Sequence, residues 1–114
     1  MKDCLFCQII ARTIPATIVY EDDSALAFED VRPQAPVHVL VIPKRHVASV
    51  HELGCSDGQL LADLLLCCTR IAQQKGISDA GYRLVTNTGR NAGQTVFHLH
   101  FHVLGGRTMS WPPG

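Results

Sequence analysis

Apolar and polar positions recur along this chain with changing periods, and each change of period marks an element. Behind Asp3, a suitable N-cap, residues 4–11 (Cys-Leu-Phe-Cys-Gln-Ile-Ile-Ala) set Phe6, Ile9 and Ile10 at helical spacing, and Pro15 stops the helix they predict. Thr17-Ile18-Val19-Tyr20, rich in β-branched and aromatic residues, leads through Glu21–Ser24 into Ala25-Leu26-Ala27-Phe28-Glu29, which predicts an antiparallel hairpin. Pro33 and Pro36 bar a regular ladder, so Asp30 opens a loop. Val37–Ile42 is apolar except for His38, the pattern of a strand covered on both faces, and Pro43 ends it. Ser56-Asp57-Gly58-Gln59 has the form of a capping box at the start of a long helix, and Gly76 suits its C′ position. The apolar residues between, Leu60 to Ala72, exceed one stripe and predict a partner subunit. Tyr82–Asn87 predicts a further strand, and the loop Thr88–Gln94 delivers the chain into Thr95-Val96-Phe97-His98-Leu99-His100-Phe101-His102-Val103. In that last stretch the period is two. It predicts a strand with His98, His100 and His102 about 7 Å apart on one face and Phe97, Leu99, Phe101 and Val103 on the other.

Length and composition change this picture in four ways. At 114 residues, without repeats or an interdomain linker, one domain over 1–114 is expected, its tail running from about 105 to 114. Ten basic residues balance ten acidic ones, which argues against broad capture of nucleic acid or an anionic membrane. Apolar runs too short to span a bilayer, and no signal-peptide pattern, point to a soluble cytoplasmic protein. Five cysteines, an odd number, without a secretory signal argue against a disulfide framework. Cys67 and Cys68, within an apolar run, read as packing residues.

Three imidazoles on one strand face admit a metal site, a nucleophile with helpers, or polar surface on an open sheet. Three histidines and a water would suffice for a catalytic metal. An imidazole nitrogen could instead attack an acyl or phosphoryl centre while its neighbours stabilise the developing charge. Gly89 and Gly93 permit either an anion-binding nest or a plain hairpin turn. His38 is by residue type either a satisfied core histidine or a support for a site.

The run His98-Leu99-His100-Phe101-His102-Val103-Leu104, preceded by Gly93-Gln94-Thr95-Val96, resembles the motif of the histidine triad (HIT) proteins. Asp30–His38, Pro43-Lys44-Arg45-His46, Tyr82–Asn87 and Trp111-Pro112-Pro113-Gly114 are similar to the Hint branch, the histidine triad nucleotide-binding proteins. The resemblance covers essentially the whole chain. It implies an α+β fold, a HIT-like antiparallel sheet of about five strands with one long and one short helix, continued across a homodimer. It also implies hydrolysis of purine nucleoside 5′-phosphoramidates, including adenosine 5′-monophosphoramidate-like and aminoacyl or lysyl-AMP compounds, through a nucleotidylated histidine.

Under that resemblance His100 is the nucleophile, flanked by His98 and His102, with His38 in the same cluster. Asn87, Gly93, Gln94 and Thr95 match positions around the phosphate and leaving amine, Thr95 standing where serine is common in relatives. Asp30 matches the carboxylate that binds the ribose hydroxyls, and Phe6, Ile9, Phe28, Val31 and Leu40 match positions near the base. Trp111 resembles a tail residue that reaches the partner's active site. Cys4 and Cys7, with His46 and His98, match the ligands of a structural zinc site in zinc-bearing relatives, and the chemistry itself requires no cofactor. The alternatives are a dinucleoside polyphosphate hydrolase, against which the Trp-Pro-Pro-Gly tail argues, a purine nucleotide-binding or sensing module with incidental hydrolysis, and a zinc hydrolase that uses the triad as ligands.

Overall fold

The computed structural model describes residues 3–114; the first two residues of the expected domain lie outside the described residues. The chain forms α1 (Leu5–Ile10), β1 (Ile18–Glu21), β2 (Ala25–Glu29), β3 (Val37–Pro43), α2 (Gly58–Gln74), β4 (Tyr82–Val85) and β5 (Phe101–Gly105), with 3-10 turns at Val50–Glu52, Cys55–Asp57 and Arg90–Ala92. The strands make one sheet in the order β1-β2-β3-β5-β4, antiparallel at every pairing. This is the five-stranded α+β architecture that the resemblance implies, built from strands and helices at the places where the period changes.

Strand alternation divides the core in two. Ala25, Ala27, Val39, Val41, Phe101 and Val103 face α2 and pack on Leu64, Cys68, Ile71 and Ala72. Leu26, Phe28, Leu40 and Ile42 point the other way, to Phe6 and Ile9 of α1. The paired alanines of β2 leave room for a 17-residue helix, whereas the larger side chains opposite fill the space over a helix of only six residues.

The long helix ends as predicted. Gly76, at φ +74°, donates to the Gln73 carbonyl at 3.1 Å, and Ile77 donates to that of Ala72 at 3.0 Å, the two bonds of a Schellman cap. Ile77 then seats against Gly105, where an added Cβ would lie 2.6 Å from its Cδ1. The start differs from the capping box read at Ser56. A 3-10 turn leads into α2, and Asp57 reaches back to accept from the Gly54 N–H at 3.0 Å. At α1 the cap is Cys4, whose Sγ accepts from the Cys7 N–H at 3.3 Å; the exposed Asp3 does not cap.

The predicted nine-residue histidine strand is shorter than its pattern. Only Phe101–Gly105 joins the ladder; residues 95–100 run outside any strand. The β3–β5 register begins at Val41↔Phe101, and continuing it would set Pro43, which has no N–H, opposite Leu99. The Leu99 N–H instead donates to the Val47 carbonyl at 2.7 Å. The alternation survives for Leu99, Phe101 and Val103, which join the α2 core. Phe97 does not, and is 56% exposed. Similarly, β4 stops at Val85 rather than Asn87. On α2 the apolar surplus shrinks to Leu65 and Leu66, since Leu64, Cys67 and Cys68 are buried within the chain. Among the described residues no helix is long and apolar enough to cross a membrane.

Candidate active site

The α1 side of the sheet carries the histidines. Leu40 pairs with His102 and His38 with Leu104, so His38 on β3 and His102 on β5 stand diagonally on one face, with Nε2 of His38 2.8 Å from Nδ1 of His102. The ring of His100 lies 5.1 Å from that of His102 and meets the edge of Phe6 at 5.1 Å. His100 and His102 line a cavity of about 240 Å³ whose other walls include Phe6, Ile9, Phe28, Leu40, Val96, Asp30, Val31 and Thr95. The residues matched to the base therefore come together, Val31 as a 92% exposed lip. Their apolar character suits burial of a flat heterocycle, with few polar contacts to discriminate among bases.

Hydrogen-bond partners assign the proton on each ring. The Gln34 N–H donates to Nδ1 of His38 at 3.0 Å, so a neutral His38 carries its proton on Nε2, facing Nδ1 of His102 and, at 3.3 Å, Oδ2 of Asp30. Nδ1 of His102 thereby accepts, and its proton sits on Nε2. His100 is set the opposite way. Its Nδ1 is 2.7 Å from the His98 carbonyl, which can only accept, so Nδ1–H donates and Nε2 keeps its lone pair. Burial, then His100 and His38, pushes His102 down to about 4 against the opposing pull of Asp30. Burial likewise lowers His38 against Asp30. His38 and His102, the pair beside the cavity histidine, are thus both held toward the neutral form.

His98 turns away from its triad partners. It is fully buried, its Nε2–H donates to the Pro43 carbonyl at 2.9 Å, and its Nδ1 lies 3.3 Å from Sγ of Cys4, 3.6 Å from Sγ of Cys7 and 3.2 Å from Nδ1 of His46. Cys7 Sγ is 3.3 Å from the same His46 nitrogen. Tetrahedral zinc with bonds of about 2.3 Å to sulfur and 2.0–2.1 Å to nitrogen sets its ligand atoms roughly 3.3–3.8 Å apart, so this donor set fits such an ion. Among the described residues, ligand-type side chains converge as Cys4, Cys7, His46 and His98, and as Asp30, His38 and His102. Neither group unites the three triad histidines, which removes the geometric basis for a zinc hydrolase using the triad as ligands.

The remaining candidates divide. Thr95 lines the cavity. Asn87 and Gly93 do not; Gly93, at φ +84°, closes the 3-10 turn Arg90–Ala92. Gln94 is buried, its Oε1 accepting from the Gly89 N–H at 2.8 Å and its Nε2 donating to the carbonyls of Ala48 and Val96 at 2.7 and 3.1 Å. Its amide braces the loop that carries Thr95 and Val96. Trp111 is 81% exposed, over the Arg83 guanidinium at 6.0 Å, and lines no part of the cavity. Three supports lie within the stretches that carry the resemblance but were given no role by the sequence: the Gln34 N–H, the Pro43 carbonyl, and Thr86, whose Oγ1 donates to the His100 carbonyl at 2.8 Å.

An antiparallel sheet with one long helix and a histidine cluster beside an apolar cavity defines a class, and comparison with known proteins places the chain in it. The HIT domain model matches residues 11–109. A HIT-like protein of Synechococcus elongatus is 57% identical over 113 residues, covering 99% of this chain and 98% of that protein. The crystal structure of a HIT family hydrolase from Legionella pneumophila superposes with a TM-score of 0.96 at 52% identity, covering 98% of this chain and 100% of the other. A histidine triad nucleotide-binding protein from Candida albicans gives 0.82 at 32% identity, covering 96% and 83%. The chain belongs to the HIT family and is similar to its hydrolases.

Proposed function

We propose that the chain hydrolyses purine nucleoside 5′-phosphoramidates through a nucleotidyl group carried on Nε2 of His100, as a member of the Hint branch. The observation that carries this reading is the proton assignment of His100: the His98 carbonyl occupies Nδ1–H and leaves the Nε2 lone pair free in a ring that lines the cavity. With the base against Phe6, Ile9, Phe28 and Leu40 and the ribose near Asp30, Nε2 attacks phosphorus as the P–N bond breaks. The leaving amine takes up a proton at the exposed Thr95 lip, where the hydroxyl can donate and recover its proton from solvent. Nε2–H of His102 donates to a phosphoryl oxygen and disperses charge in the displacement. Water then attacks the same phosphorus, the P–Nε2 bond breaks, and the nucleoside monophosphate leaves with His100 regenerated.

In the same reading Cys4, Cys7, His46 and His98 hold a structural zinc ion, which takes no part in the displacement but fixes His98 and ties α1 to the catalytic segment. A homodimer brings Trp111 of one chain toward the other's site. Similarity to the Candida albicans nucleotide-binding protein supports the nucleotide as ligand. Brief incubation with adenosine 5′-phosphoramidate, an acid-free quench and peptide mass spectrometry should find one adenylyl group on His100. Replacing that residue, His100→Ala, should remove the adduct and lower turnover by about a thousandfold or more. An adduct elsewhere, or turnover surviving in His100→Ala, would overturn the proposal.

A further inference from the structure

We infer that Thr86 is a positioning residue for the nucleophile, an inference that rests on His100 as the attacking group. The β4–β5 register ends at Val85↔His102 and that of β3–β5 at Val41↔Phe101, so the segment that delivers His100 lies outside the ladder. Individual bonds hold it instead. The Leu99 N–H donates to the Val47 carbonyl at 2.7 Å and His98 Nε2–H to that of Pro43 at 2.9 Å. Both act on residues before the nucleophile. The bond from Thr86 Oγ1 to the His100 carbonyl, at 2.8 Å, acts on the nucleophile's own main chain.

That placement matters because of how the ring is anchored. His100 Nδ1 donates to the carbonyl of His98, two residues upstream, so ring and backbone form one closed unit. Where its Nε2 points relative to His102 and the cavity depends on where that unit sits. Thr86 fixes the unit to the end of β4 from the side opposite β3, doing by side chain what a ladder would do by main chain. His100 is buried, so a carbonyl deprived of this donor has limited access to water in exchange. Thr86 itself lines no part of the nucleotide cavity, and its loss should therefore act on the displacement rather than on binding.

Valine is close in shape to threonine and suits extended backbone, but lacks the proton. In Thr86→Val we expect kcat on adenosine 5′-phosphoramidate to fall about three- to tenfold, with KM within about twofold of wild type. Thr86→Ser, which keeps the hydroxyl, should restore kcat, and the pH dependence should be unchanged because no titrating group is touched. Should the valine variant not fold, Thr86→Ala against Thr86→Ser makes the same comparison. Full kcat in the valine or alanine variant, or an equal loss in Thr86→Ser, would overturn the assignment while leaving His100 as nucleophile. Absence of wild-type turnover would overturn the phosphoramidase reading and this inference with it.

Discussion

His38 shows how one residue can be ambiguous in the sequence and specific in the fold. As a lone polar side chain in an apolar strand it reads equally as a satisfied core histidine. In the structure it is satisfied, and its partners set which of its nitrogens faces His102. The Gln34 N–H on one nitrogen forces the proton onto the other, and His102 receives it. His38→Phe keeps the ring and removes both polar ends, so His102 would no longer be held in one tautomer. We expect kcat to fall about tenfold, the worth of one well-placed hydrogen bond near a reacting group, with nucleotide affinity nearly unchanged. Steady-state kinetics beside equilibrium binding of a non-hydrolysable nucleotide would separate the two, and a loss confined to binding would sink the relay. The place of His38 in the histidine cluster was legible from the resemblance, and the shared side of His100 and His102 from the period-two pattern. Which nitrogen bears the proton was not, because main-chain groups of Gln34, Pro43 and His98 decide it, and a pattern of side chains does not say where main-chain N–H and carbonyl groups point.

At the scale of elements, α1 joins two jobs. Cys4 at its cap and Cys7 in its first turn belong to the donor cluster, while Phe6 and Ile9, on the helix between and beyond them, wall the cavity beside His100. Six residues make too short a helix to stand on its own propensity, so its place depends on what both faces touch. One bound zinc ion per chain should appear in native mass spectrometry. Stripping it with chelator, or replacing Cys4→Ala, should weaken nucleotide binding severalfold through Phe6 and Ile9, although no ligand atom touches the nucleotide. Calorimetric titration with a nucleoside monophosphate reads this directly, and equal affinity with and without metal would separate the two jobs. The sequence announced the helix, and the resemblance named the four donor side chains that the structure brings together. It overstated the histidine strand, since alternation continues through any extended backbone whether or not a neighbour pairs with it. The limit at Phe101 is set by a proline fifty-eight positions earlier, opposite Leu99 by register. Alternation also assigned Phe97 to the core, but that residue precedes the point where the α2 core begins to cover the segment, and it stays exposed.

For the whole molecule, the buried histidines link the site to the stability of the fold. His102 holds its proton only below about 4 in the folded chain, against ~6.5 when unfolded. Between those values the unfolded chain binds a proton that the folded chain refuses, so the contribution is fully present above about pH 6.5 and is lost as pH falls toward 4. His38, lowered chiefly by burial, acts with the same sign. The carboxylate of Asp57, held low by the Gly54 N–H and then by Arg45, also loses stability on acidification, but in a window below its ordinary ~3.9. The two effects are therefore separable along the pH axis. Urea denaturation should show stability falling by about 2 kcal/mol between pH 7 and 4.5, an allowance for partial solvent contact included. In His102→Gln, which keeps a polar side chain but cannot titrate, the fall over that window should be markedly smaller. A flat wild-type profile from pH 7 to 4.5 would show that the cluster takes up protons without opposing the fold, and would remove the neutral pair on which the displacement at His100 relies.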